Sequence, residues 1–159
     1  MPFRLPKKCR EFFKEITDTN KNDGTKLNML FDGYYLCLLV GLAQAKRSEN
    51  AELEATELVD SFPGDYHDSR DYIAGLLIAT EAKCLGVATD DADALERLMT
   101  TLVDSQSKTR LTTLGENRLN QYAARGTEIM IDKMLGQHSC LEDFFQDYFT
   151  CFENGTFFE

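Results

Sequence analysis

Apolar residues recur along this chain at spacings of three and four, and alternation of β-branched with polar residues is nearly absent. That is the period of helices rather than strands. A first helix is predicted over residues 6–17, with Pro6 in a first-turn position and Cys9, Phe12, Phe13 and Ile16 as its stripe. The polar loop TDTNKNDGTK follows, and then a second helix over residues 28–46. A shorter third helix is predicted over 51–61, with Asn50 as its cap and Glu52 and Glu54 in its first turn; Pro63 and Gly64 end it.

A fourth helix covers 69–85, striped by Ile73, Leu76, Leu77, Thr80 and Cys84 and stopped by Gly86. A fifth begins after Thr89 and buries Leu95, Leu98, Met99 and Leu102. Thr113 with Glu116 reads as a capping box opening a long helix to about Leu135, with Leu119, Tyr122, Ala123, Gly126 and Met130 in one line. Ser139 with Glu142 reads as a second box. It opens a last helix whose Leu141, Phe144, Phe145, Tyr148, Phe149 and Phe152 fit a helical stripe at every place. The expected fold is therefore all-α: a compact single-domain bundle of six to seven helices over residues 1–159, with mostly antiparallel neighbours.

The stretch FDGYYLCLLVGLAQAKR, residues 31–47, sets the expected centre. A membrane span needs about 20 apolar residues, and Tyr34 to Ala43 supplies ten before Gln44, Lys46 and Arg47. An apolar run with no polar face describes a helix enclosed by protein. Leu36, Leu39 and Val40 are expected in the core, and Gly41 admits a close neighbour. Gly126 costs about 1 kcal/mol in a helix interior relative to Ala, so it too has a packing reason. Arg125 and Glu128 beside it are spaced to pair.

Charge narrows the function classes. The 159 residues carry a net charge of −10, which repels nucleic acid and anionic membranes. Five scattered cysteines without a CxxC pair read as reduced, buried thiols, and no zinc spacing occurs. The N-terminus lacks a long apolar h-region, so the cytoplasm is the expected location.

Candidate chemistry is sparse. In DYHDSRD, Asp65, His67 and Asp68 are metal-ligand types, but ligands so close in sequence need an ordered loop and further ligands from elsewhere. The competing reading is a helix start, which favours Asp68, Ser69 and Asp71 as caps and dipole partners. His138 with Cys140 is the other pair of interest, because a thiol at a helix N-terminus can have a lowered pKa. Basic residues gather at Lys7, Lys8, Arg10 and Lys14, at Lys46 and Arg47, and at Lys108 and Arg110. A phosphate patch would need the fold to join two of these groups. No GxSxG, HExxH, P-loop or GxGxxG occurs, so no catalytic residue and no cofactor are assigned.

Aromatic residues point elsewhere. Phe145, Tyr148, Phe149 and Phe152 on the last helix, with Phe157 and Phe158 beyond it, are candidates for meeting a protein partner. Residues 153–159 are expected as a flexible or partner-binding tail.

FDGYYLCLLVGLAQAKR and RLNQYAARGTEIMIDKM, residues 31–47 and 118–134, together resemble segments of small accessory proteins of bacterial anti-phage cassettes linked to DNA phosphorothioation. The second carries Leu119, Tyr122 and Ala123, then Gly126, Glu128 and Ile129. The resemblance covers about a quarter of the chain and implies a non-catalytic subunit beside larger DNA-processing enzymes. The leading expectation is thus an adaptor. The alternatives are an acidic inhibitor or DNA mimic, and a metal-dependent enzyme using residues 65–71.

Overall fold

The computed structural model describes residues 2–159. Among them lie six α-helices: α1 (Cys9–Phe12), α2 (Leu30–Gln44), α3 (Arg70–Leu85), α4 (Ala92–Leu102), α5 (Thr113–Lys133) and α6 (Leu141–Glu153). No continuous strand occurs among the described residues, only isolated bridges. The fold is all-α, as the spacing predicts.

α2 and α5 form the most extensive helix pair and the axis of the molecule. They touch backbone to backbone. A Cβ on Gly41 would lie 2.0 Å from the Tyr122 carbonyl oxygen, and one on Gly126 would lie 1.7 Å from the Cys37 carbonyl oxygen. Neither position accepts a side chain without moving a helix. Four residues forward on α2 answer to four residues back on α5, so the pair is antiparallel. Both glycines of the sequence reading therefore have their packing reason.

The helix stops are also as read. Gly86 adopts the left-handed conformation (φ 68°) behind α3. Behind α5, Met134 turns extended and Gly136 has φ 100°. Both capping boxes are displaced by one residue. Thr112 Oγ1, not Thr113, accepts the Gly115 N–H at 3.1 Å, and Glu116 instead accepts from Thr109 Oγ1 at 2.7 Å. At α6 the cap is Cys140, whose Sγ accepts the Asp143 N–H at 3.4 Å.

Two predicted helices take other forms. Residues 51–61 are not helical. Their backbone pairs antiparallel with the N-terminal segment: Glu54 N–H donates to Leu5 O (2.8 Å), Leu58 N–H to Phe3 O (2.8 Å) and Lys7 N–H to Glu52 O (3.0 Å). Phe3 and Leu5 are fully buried there. Asn120 of α5 clamps the same segment, accepting from Arg4 N–H (3.3 Å) and Tyr34 Oη (2.8 Å) and donating to Pro2 O (2.8 Å). A buried amide with all these partners is stabilising; without them it is costly. The predicted helix over 6–17 breaks after Phe12 into a short 3-10 turn, Lys14–Ile16. Its four stripe residues are buried nonetheless.

α2 is enclosed over about 200° of its circumference at 100° per residue. Phe31, Tyr34, Cys37, Leu38, Val40, Gly41 and Leu42 are buried. Leu36 and Leu39, expected in the core, are half-buried and lie with Tyr35 and exposed Ala43 on the open arc. Met99 of α4 is likewise exposed, whereas Leu98 and Leu102 are buried.

Candidate functional site

The metal candidates are not assembled. Asp65, His67 and Asp68 lie exposed on a 3-10 turn, Gly64–Ser69, ahead of α3. His67 Nδ1 stands 3.7 Å from Asp68 Oδ1 on an open surface. Among the described residues no cluster of three or more His, Cys, Asp or Glu side chains is placed to hold a metal ion. Tyr66 of the same turn points inward, donates its hydroxyl to Asp32 and packs edge-on against Phe31 and Tyr35. The loop thus fastens α3 to α2.

His138 pairs with Asp147 rather than with Cys140: Nε2 lies 3.0 Å from Asp147 Oδ2. The same carboxylate accepts the Leu135 N–H at 3.2 Å and the Cys151 thiol at 3.6 Å. Burial and Asp147 push the Cys151 thiol up, away from a thiolate. This arrangement ties the α5–α6 connection to α6; it does not activate a nucleophile. Cys9 and Cys37 meet in the core, where that contact and burial push the Cys9 thiol up. All five cysteines are unpaired by disulfide, and Cys84 and Cys140 are exposed rather than buried as expected.

The basic groups do not converge on an anion. Arg10 bonds Glu54 at 2.7 Å, and Lys108 stands 3.7 Å from Asp60. Arg47 does more than sit at a helix end. It bonds Glu81 of α3 at 3.0 Å, and Glu81 also accepts from Tyr122 Oη at 2.7 Å and faces Arg118 at 3.7 Å. Glu81 is only 3% exposed. This buried network joins α3, α5 and the end of α2. Burial and the Glu81 carboxylate push the Tyr122 phenol well up. Sequence reading missed it, although Glu81 falls within the α3 stripe between Leu77 and Cys84. A 460 Å3 depression beside it is lined by Lys46, Arg47, Glu49, Cys84, Arg125 and Glu128. Both arginines are already matched, Arg47 by Glu49 and Glu81 and Arg125 by Glu128 at 3.1 Å.

The aromatic candidates divide into two sets. Tyr148 and Phe157 belong to the core, which corrects their assignment to a partner surface. Tyr148 donates its hydroxyl to Leu36 O at 2.8 Å. Phe157 is buried in a 3-10 turn, Thr156–Phe158, packed on α5 and α2, so residues 153–159 are docked rather than a free tail. Phe145 and Phe152 are half-buried, while Phe149 is 56% and Phe158 43% exposed. Phe145 and Phe149 stack with centroids 5.8 Å apart, and Phe158 meets Phe152 edge-on at 5.9 Å. The outer rings are braced from beneath by Tyr148, 5.6 Å from Phe149 and 5.0 Å from Phe152.

The cause is a rotation. At 100° per residue, the buried face of α6 centres on Phe144, Tyr148 and Cys151, about 60° away from the centre of the six-residue aromatic stripe. One flank of that stripe is therefore left facing outward. It meets the open arc of α2 where Tyr148 donates its hydroxyl to Leu36 O. Tyr72 of α3 is exposed.

No helix among the described residues is long and apolar enough to cross a membrane. No family model, curated protein or solved structure matches the chain.

Proposed function

We propose that the chain is a non-catalytic interaction subunit of a bacterial multiprotein complex acting in defence against foreign DNA. The observation that carries this reading is the outward row Phe145, Phe149, Phe152 and Phe158 on α6 and the turn after it. Apolar rings held in water gain free energy when covered. Stacked aromatics lose little freedom on binding and are enriched at interface centres. The defence setting rests on the resemblance of residues 31–47 and 118–134 to accessory proteins of such cassettes.

The test is co-purification from the native host with the wild-type chain and with Phe149→Ser as baits. The expected result is one or a few specific partners on the wild type and their loss on the variant. A chain that captures nothing, or captures the same proteins through Phe149→Ser, would overturn the reading. A DNA mimic behaves differently: its complexes would dissolve steeply with salt and be indifferent to Phe149.

A further inference from the structure

The edge of the aromatic flank carries its own information. On α6 the acidic residues Glu142 and Glu153 follow directly beyond Phe149 around the helix, at 100° per residue. From Leu141 to Glu159 there are five carboxylates and no lysine or arginine. Asp147 is engaged by His138, while Glu142, Asp143, Glu153 and Glu159 are exposed. The turn that holds Tyr66 against Tyr35 carries exposed Asp65 and Asp68 beside His67, and Asp71 follows Arg70 at the start of α3. The outward aromatic flank of α6 is thus bordered by negative charge along its outer edge.

That border discriminates among occupants. A second copy of this chain would bring the same carboxylates and a net charge of −10 against it. Nucleic acid and an anionic bilayer are repelled for the same reason. A protein segment with an apolar stripe flanked by lysine or arginine meets both features. A helix fits better than a strand. Phe145, Phe149 and Phe152 form an i, i+4, i+7 ridge of the kind that packs into the groove of another helix.

We propose that the α6 flank, with the open arc of α2, binds a basic amphipathic helix of a protein partner. Phe145, Phe149 and Phe152 take its apolar stripe, and Glu142 and Glu153 face its cations. This deepens the interaction-subunit reading and rests on it.

The probes are two dye-labelled, 18-residue helical peptides with the same leucine stripe, one with lysine and one with glutamate on its polar face. Their binding to the full chain is read by fluorescence anisotropy, and the bound face by amide chemical shifts. The lysine peptide is expected to bind at least about tenfold more tightly than the glutamate peptide, roughly one decade in Kd. Shifts should concentrate in 141–153 and 35–43. Phe149→Ser should weaken binding by a similar factor with an unchanged helical circular dichroism spectrum, and Glu142→Gln with Glu153→Gln should weaken it several-fold, most at low salt. Equal binding of both peptides, shifts centred elsewhere, or indifference to Phe149→Ser would overturn the proposal. So would Phe149-dependent dimerisation in sedimentation. A native partner captured through Phe149 by a segment that is not a basic helix would overturn this inference alone and leave the interaction-subunit reading standing.

Discussion

The α2–α5 contact and the α6 helix bury apolar surface by opposite means. Between α2 and α5 the smallest residues do the work: Gly41 meets the Tyr122 backbone and Gly126 the Cys37 backbone, with Ala123 buried in the same face. The contact is closed, and any added atom displaces a helix. α6 uses the largest residues, and its rings cover more than one face can receive. Phe144, Tyr148 and Phe157 fill the core while Phe149 and Phe158 remain in water. Close approach thus fixes the frame, and surplus aromatic area is what the frame presents outward.

The sharpest way to break this contrast is Gly126→Val. Its branched side chain has nowhere to go, and a loss of about 4 kcal/mol or more is expected, beyond the usual range of overpacking. Denaturant unfolding measures it; a loss under 1 kcal/mol would mean that the helices separate freely. Phe144→Ala, on the inward side of α6, is expected to cost about 3–4 kcal/mol by the same assay. Glu81→Gln leaves Arg47 and Arg118 without their carboxylate, but both reach water, so about 2–3 kcal/mol is expected.

A pH titration sharpens the comparison without mutation. Tyr34, Tyr122 and Tyr148 have phenols held well above the ordinary value of 10.0, chiefly by burial. Below pH 10.0 both folded and unfolded chains keep these protons, and pH has no leverage. Above it the unfolded chain ionises first, so stability falls as pH rises. Phenolate absorbance from these residues should appear together with the loss of helical circular dichroism. Ionisation of all six tyrosines in a still-helical protein would contradict the packing described. The smallest effect is expected at Phe149→Ser, within about 0.5 kcal/mol of wild type.

How much of this was legible beforehand differs between the same two regions. Gly41 and Gly126 stood out because glycine in a helix interior needs a local reason. The helices over α3, α5 and α6 followed from stripe and stop signals that act within a turn or two. Residues 51–61 did not, because their hydrogen bonds go to a segment some fifty positions earlier and outweigh local propensity. The division of the α6 stripe was also hidden. Six apolar positions define a stripe, but only the position of the core shows that Cys151 belongs to the buried face and Phe149 lies outside it. The Glu81 network needed the third dimension too, since Arg47 lies 34 positions away in sequence.

The central claim is that the outward flank of α6 is a recognition surface while its inward face is core. Amide hydrogen exchange of the chain alone and with its captured partner tests this most directly. The account predicts new protection confined to residues 141–153 and the open arc of α2, with the α2–α5 contact already protected in the free chain. Unchanged exchange across 141–153 on partner binding, with protection arising on α4 or the 65–71 turn instead, would contradict it.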